Sequence, residues 1–106
     1  MSQRHDDALT GIVIEEQKTI ALDELAGMCT VETRWLVELV EQGALEPLDR
    51  TQSRWEFSAA VLKRVQTAAH LRRDLELNTA GIALALDLLD QIETLRARLR
   101  ALDDHA

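Results

Sequence analysis

The 106-residue chain is poor in the residues from which covalent and metal-based sites are built. Its single cysteine, Cys29, excludes an internal disulfide and any zinc site that needs several thiolates. The three histidines, His5, His70 and His105, are not paired at helical spacing, so we predict no metal site. Cys29 lies between two predicted helices, and we predict that it packs as a small buried side chain. A single free thiol also fits a reducing compartment.

The chain also lacks long apolar runs and the patterns of a catalytic centre. No segment is apolar enough to span a membrane or to serve as a signal peptide, so we expect a cytoplasmic protein. There is no glycine-rich phosphate loop, no tyrosine, and no clustering of serine, histidine and cysteine as in a nucleophile site. We therefore predict a binding protein that has no catalytic residues, uses no cofactor and is not an enzyme.

Basic residues are scarce in the first half of the chain. Residues 1–57 contain 5 Lys and Arg against 12 Asp and Glu, whereas residues 58–106 contain 7 of each kind. The whole net charge of −7 therefore lies in the N-terminal half. An acidic surface repels phosphate and attracts basic partners, although a solvated surface that only aids solubility has the same composition.

Apolar spacing and turn residues predict a mainly helical fold with a small sheet. The predicted elements are a strand at residues 10–16, helices at 22–28 and 32–42, strands near 45–48 and at 54–57, a helix after Ser58, and a last helix at about 80–103. The two later strands are predicted to form a hairpin around a turn at 49–53, and the first strand is placed to complete the sheet.

Particular residues mark the predicted ends of the helices. Thr30 and Ser58 are predicted N-caps, and Asn78 and Thr79 are the two candidates to cap the last helix. Gly43 is the predicted left-handed residue after the second helix, and Pro47 forbids any continuation.

The last helix carries the clearest pattern in the chain, an apolar residue every three or four positions. This a/d seam consists of Ala85, Leu88, Ile92, Leu95, Leu99 and Leu102. A second stripe of Ile82, Leu86 and Leu89 runs beside it over the first half of the helix only. We predict that the stripe packs on the rest of the fold and that the seam pairs with a second copy, giving a homodimer. The alternative is that the seam folds back on its own domain.

The order of elements resembles the MerR-like winged helix-turn-helix fold, mainly α with a small β wing and a long C-terminal helix. Residues "TIALDELAGMCTVETRWLVELVEQGALEP" are similar to its opening, a short helix, a tight turn and a recognition helix. On this basis residues 1–9 are a flexible tail, residues 10–78 the winged domain and residues 79–106 the long helix, with dimerisation as its expected role.

Three separated motifs are more specific. "LVEQGALEP", then "WEF", then "HLRRDLELNTAGIALALDLLDQIETLRARL" resemble the chaperone-modulator CbpM family over residues 19–102. The resemblance implies a protein that binds the J-domain of a CbpA/DnaJ-type co-chaperone and inhibits its action with the chaperone DnaK. J-domains generally present a positive helix to DnaK, so an acidic surface on this chain suits such a partner.

The charges agree with this role better than with DNA binding. MerR-like readers carry arginines in the middle of the recognition helix and at the end of the wing. The matching positions of this chain are Trp35, Leu36, Val37 and Glu38 in the helix and Arg54, Trp55 and Glu56 in the wing. We therefore expect a protein partner, with a MerR-like DNA-binding transcription regulator as the alternative and a passive dimerisation module as a third possibility. The predicted partner-binding residues are Glu32, Trp35, Glu38, Glu41, Glu46 and Asp49.

Charge alone rarely gives tight binding, so aromatic anchors are also expected. Trp35 and Trp55 are the candidates. Trp55 alternates with Phe57 and fits the core as well as an interface, and Trp35 fits a buried or a partly exposed position. Arg72 and Arg73, near the end of the third helix, are expected to pair with Asp74, Glu76 or the carbonyls of the last turn.

Overall fold

The computed structural model describes residues 18–105, with the side chain of the last of these excepted. The elements are β1 (Thr19–Ala21), α1 (Leu22–Cys29), α2 (Thr33–Glu41), β2 (Glu56–Ser58), α3 (Val61–Leu75) and α4 (Thr79–His105). The strand predicted at residues 10–16 lies outside the described residues.

Helices α1 and α2 form the helix-turn-helix pair. At the start of α1 the Ala21 N–H donates to the Glu24 carboxylate over 3.0 Å, which satisfies one of the amides left free near a helix start. Thr30 adopts a left-handed conformation with φ 56°, and the Val31 N–H donates to the Ala26 carbonyl over 3.0 Å. Thr30 therefore closes α1 and does not cap α2, so that prediction is wrong; Glu32 precedes α2 in extended conformation.

The end of α2 follows the prediction. Gly43 has φ 81°, the region in which a side chain is strained, and the Ala44 N–H donates to the Leu39 carbonyl over 2.8 Å. The Arg50 guanidinium also donates to the Val40 carbonyl over 3.1 Å. The loop after α2 is thereby folded against the last turn of the helix.

The sheet differs from the predicted hairpin. β2 pairs antiparallel with β1, with Ile20 opposite Phe57, and not with residues 45–48. Of the predicted pairing only one bond exists, from the Leu48 N–H to the Glu56 carbonyl at 2.8 Å. Pro47 has no N–H with which to continue a ladder, whereas residues 19–21 offer a full set of donors and acceptors. The wing is thus one strand of the sheet preceded by a long loop.

Helices α3 and α4 complete the fold. Ser58 is the last residue of β2, so it does not cap α3, and Ala60 precedes that helix without a side-chain cap. Asn78 is confirmed as a cap, because its side-chain oxygen accepts the Gly81 N–H over 2.8 Å. α4 has 27 residues, a length of about 40 Å. No helix of the described residues is long and apolar enough to cross a membrane.

The core lies where α1, α2 and α3 meet the sheet and the first turns of α4. Its largest fully buried side chains are Phe57, Leu25, Leu36, Leu39, Leu45, Ile82, Val40 and Val65. Ile82 and Leu86 of α4 are buried as predicted, but Leu89 is 46% exposed. The prediction for Leu89 is wrong because α4 leaves the core after Leu86, and every residue from 87 to 104 is exposed.

One arginine holds α4 against the end of the helix-turn-helix pair. The Arg64 Nε of α3 donates to the Ala44 carbonyl over 2.6 Å, and its terminal nitrogen donates to both Asp90 carboxylate oxygens over 3.0 and 3.1 Å. Arg64 therefore joins three parts of the chain that are distant in sequence.

Candidate protein-binding surface

The outer face of α2 carries two acidic side chains with no partner. Glu38 and Glu41 are three residues apart and hence share one face of the helix. Both are exposed, and neither forms an ion pair or a side-chain hydrogen bond with any residue from 18 to 105. We name this pair the acidic ridge. Arg34, one turn before Glu38, is the only base on the helix.

The other predicted acids are held within the chain. The Arg72 guanidinium of α3 donates to the Glu32 carboxylate over 3.1 Å and lies 4.7 Å from the centre of the Trp35 ring. The hydrogen bond from Arg72 holds the pKa of Glu32 below its ordinary value. The predicted pairing with Asp74 is confirmed for Arg73, whose Nε donates to the Asp74 carboxylate over 3.1 Å. It is wrong for Arg72, because the fold brings Glu32, 40 positions away, within reach.

Trp35 is buried, which decides between the two predicted positions for its ring. Only 8% of Trp35 is exposed, and the Arg72 guanidinium covers the ring face. The arrangement is a cation–π contact that fastens the start of α2 to α3. Trp35 therefore offers very little surface to a partner.

Two predicted acids lie in the loop after α2. The Arg50 Nε donates to the Glu46 carboxylate over 2.9 Å, and this bond lowers the pKa of Glu46. The Thr51 hydroxyl and N–H donate to Asp49 over 2.6 and 2.9 Å, and they lower the pKa of that carboxyl group. Glu46 is therefore paired with a cation, whereas Asp49 receives only the hydrogen bonds of Thr51.

A groove opens beside the acidic ridge, with a volume of about 610 Å³. We name it the α2–wing groove; it is lined by Ala21, Leu22, Asp23, Thr33, Val37, Ser53, Arg54, Trp55 and Glu56. Trp55 is half-buried here, while Phe57 on the same strand face lies fully in the core. Trp55, one of the two predicted candidate anchors, thus lines this groove. The groove itself was not predicted from the sequence, in which Val37, an apolar residue on the outer face of α2, is a further signal.

The seam of α4 is exposed from Leu88 onwards, whereas Ala85 is half-buried. Its large residues Leu88, Ile92, Leu95, Leu99 and Leu102 keep 44–67% of their surface exposed. The alternative in which the seam folds back on its own domain is therefore wrong. Leu84 and Leu89 flank the seam and are exposed as well, which widens the apolar strip. Exposed apolar strips of this extent mark association surfaces.

The described residues contain no group of three or more histidine, cysteine or acidic side chains that could hold a metal ion. Cys29 is a half-buried thiol whose pKa is raised by burial. The described residues present an acidic ridge, an adjoining groove and an apolar seam.

Comparison with known proteins defines the class first and then the particular family. The family model described as "MerR HTH family regulatory protein" matches residues 20–104, in agreement with the helix-turn-helix, the small sheet and the long helix. Chaperone modulatory protein CbpM of Coxiella burnetii (strain Dugway 5J108-111) is 42% identical over 95 residues, which is 90% of each chain. The CbpM of Pseudomonas entomophila (strain L48) is 39% identical over 67 residues, 63% of this chain and 66% of the relative. The chain belongs to the CbpM family of chaperone modulatory proteins, a branch of the MerR-like helix-turn-helix class.

Proposed function

We propose that the chain binds the J-domain of a CbpA/DnaJ-type co-chaperone and keeps that co-chaperone from acting with DnaK. The relatives carry the name chaperone modulatory protein, and the observation that supports the finer proposal is the acidic ridge. Glu38 and Glu41 stand on the outer face of α2, where a DNA-reading helix needs cations. The J-domain presents a positive helix to DnaK, and an acidic competitor for that helix would prevent the encounter.

The electrostatics of the ridge favour a cationic protein. Charges that are not paired within the chain attract an oppositely charged surface at a distance, which speeds association and weakens as salt is added. Glu32 and Glu46 already have arginine partners, so they contribute little to this attraction. The proposal therefore rests on Glu38 and Glu41, with Asp49 as a further charge at the edge.

The alternative is a MerR-like transcription regulator, which the description of the matching family favours. Such a protein neutralises several DNA phosphates with lysine and arginine. Helix α2 has only Arg34, and in the wing Arg54 stands two residues before Glu56. Since each carboxylate near a phosphate is repulsive, this surface suits DNA poorly.

We also propose that two copies pair through the α4 seam and that the protein acts in the cytoplasm, where J-domain co-chaperones and DnaK meet. The exposed Leu88–Leu102 strip supports the pairing, because an isolated protomer would leave it in water.

Binding of a purified CbpA-type J-domain, measured by calorimetry together with stimulation of DnaK ATPase, tests the proposal. The double variant E38K/E41K should bind about tenfold more weakly or worse and lose its inhibition, since like charges then face each other. Its matched control is D103K/D104K, which makes the same change of charge at the exposed far end of α4. Wild-type protein that ignores every J-domain and instead binds duplex DNA with a steep salt dependence would overturn the proposal.

A further inference from the structure

We propose that the α2–wing groove receives one apolar side chain from a cationic helix of the partner, while the acidic ridge beside it pairs with lysine or arginine on that same helix. This inference rests on the proposed function and adds the contact that gives the complex its affinity. Because Trp35 is buried, the apolar contact is assigned to the groove, where Trp55, the other candidate anchor, lies half-buried.

The lining of the groove fits an apolar side chain. The lining includes Leu22 at the start of α1, Val37 on the outer face of α2, and Trp55, the residue before β2. Val37 and Trp55 are both half-buried, so apolar surface is left open to water inside a concave site. Covering such surface is favourable by about 25 cal/mol per Å², and a volume of about 610 Å³ admits a large aliphatic or aromatic side chain.

The position of the groove relative to the ridge points to a helix. Val37 and Glu41 are four residues apart on α2, so Glu41 lies one helical turn beyond Val37 on the same side of the helix. Glu38, the residue after Val37, is turned about 100° around the helix from the groove. A partner helix that carries an apolar residue with basic residues three or four positions away matches this spacing. Further carboxylates, Asp23 and Glu56, line the groove itself.

The charges of the groove favour a cationic helix over a nucleic acid as its occupant. Its one cationic lining residue is Arg54, which shares the lining with the two carboxylates. A phosphate backbone would face a net negative charge there. A helix with lysine or arginine around an apolar residue meets both the apolar walls and the acidic surroundings.

The variant V37E separates the groove from simple charge attraction, because it adds negative charge while placing a carboxylate in the apolar lining. If attraction alone drives binding, V37E should bind the J-domain as tightly as wild type or more tightly. If the groove holds an apolar side chain, V37E should bind about tenfold more weakly or worse. The control L48E adds the same charge at a neighbouring loop residue that is 59% exposed and outside the groove, and it should leave affinity unchanged or slightly raised.

A second measurement uses the wild-type chain and does not depend on the folding of a variant. The two indole N–H signals in a ¹⁵N–¹H spectrum report on Trp55 in the groove and on Trp35 beneath Arg72. Titration with unlabelled J-domain should shift the Trp55 signal strongly and the Trp35 signal little. Two results would overturn the proposal that the groove receives a partner side chain and leave the J-domain proposal intact. One is a Trp55 signal that stays fixed while the J-domain binds, and the other is a folded V37E variant with wild-type affinity. A Trp55 signal that shifts with the concentration of the chain alone shows that the occupant is a second copy, and this also overturns it. Failure of the wild type to bind any J-domain removes the proposed function itself.

Discussion

Replacing Ile92 by aspartate places a carboxylate in the middle of the α4 seam and tests whether the seam joins two copies. Ile92 is 44% exposed, and Leu88 and Leu95 on either side are also exposed. Since none of these three residues belongs to the core, the substitution should leave the core folded. Aspartate in a helix interior costs only about 0.7 kcal/mol or less relative to the best helix formers.

The expected weakening follows from the exposed fraction. Burying roughly half of a large aliphatic side chain is worth on the order of 1 kcal/mol, so the change in both copies removes about 2 kcal/mol. A carboxylate that loses water without a partner costs several kcal/mol when fully buried, and we assign only about 1 kcal/mol to each one at this solvent-edged seam. The sum of about 4 kcal/mol raises the dissociation constant of the dimer roughly a thousandfold.

Sedimentation velocity over a range of protein concentrations measures this change directly. I92D should sediment as a monomer at concentrations where the wild type sediments as a dimer. The control A97D introduces the same charge on the opposite side of α4, five residues beyond Ile92, where the dimer should persist. Equal sedimentation of I92D and wild-type protein at every dilution would refute the pairing of the seam, as would a wild type that is monomeric throughout.

Three further predictions concern the stability of the fold, and thermal unfolding measures each of them. Ile82→Ala empties a fully buried site under α4 and should cost about 2–5 kcal/mol; a loss within error would contradict the assigned core. Gly43→Ala strains a residue at φ 81° and should cost about 1–2 kcal/mol, whereas its control Gly27→Ala, inside α1 with open space around it, should be stabilising by about 0.5–1 kcal/mol. Arg72 lowers the pKa of Glu32 in the folded state. Ionised Glu32 therefore stabilises the fold at pH values above its ordinary pKa of about 4.3. This stabilisation is lost as the pH falls through the lower pKa of the folded state. The small loss of melting temperature in Glu32→Gln should therefore be constant near neutral pH and vanish in strong acid; a difference that grows on acidification would contradict the ion pair.

Local patterns in the sequence predicted the parts of the fold that depend on near neighbours. The spacing of leucines identified α4, Asn78 was correctly predicted as its cap, and Gly43 as the residue that ends α2. The errors concern choices between competing partners. Residues 45–48 and 19–21 are both able to pair with β2, and only the packed fold shows that β1 does so. Thr30 has the chemistry of an N-cap, yet it closes the preceding helix.

The candidate site was less predictable, because its properties depend on contacts across the chain. The acidity of α2 was visible in sequence, but the neutralisation of Glu32 by Arg72 spans 40 positions. The same arginine lies over the ring of Trp35, which is buried with the core residues. The α2–wing groove is made by residues from three separate segments, and no local pattern brings Leu22, Val37 and Trp55 together.

The outer part of α4 has a consequence for local stability. Beyond Asp90, which Arg64 holds, the helix runs on for about four turns, and its side chains as far as residue 104 are exposed. A helix of this length without tertiary support is marginal in water. Amide hydrogens near its far end should therefore exchange with solvent quickly in dilute protein and slowly in concentrated protein, so that association and the completion of this helix are a single coupled event.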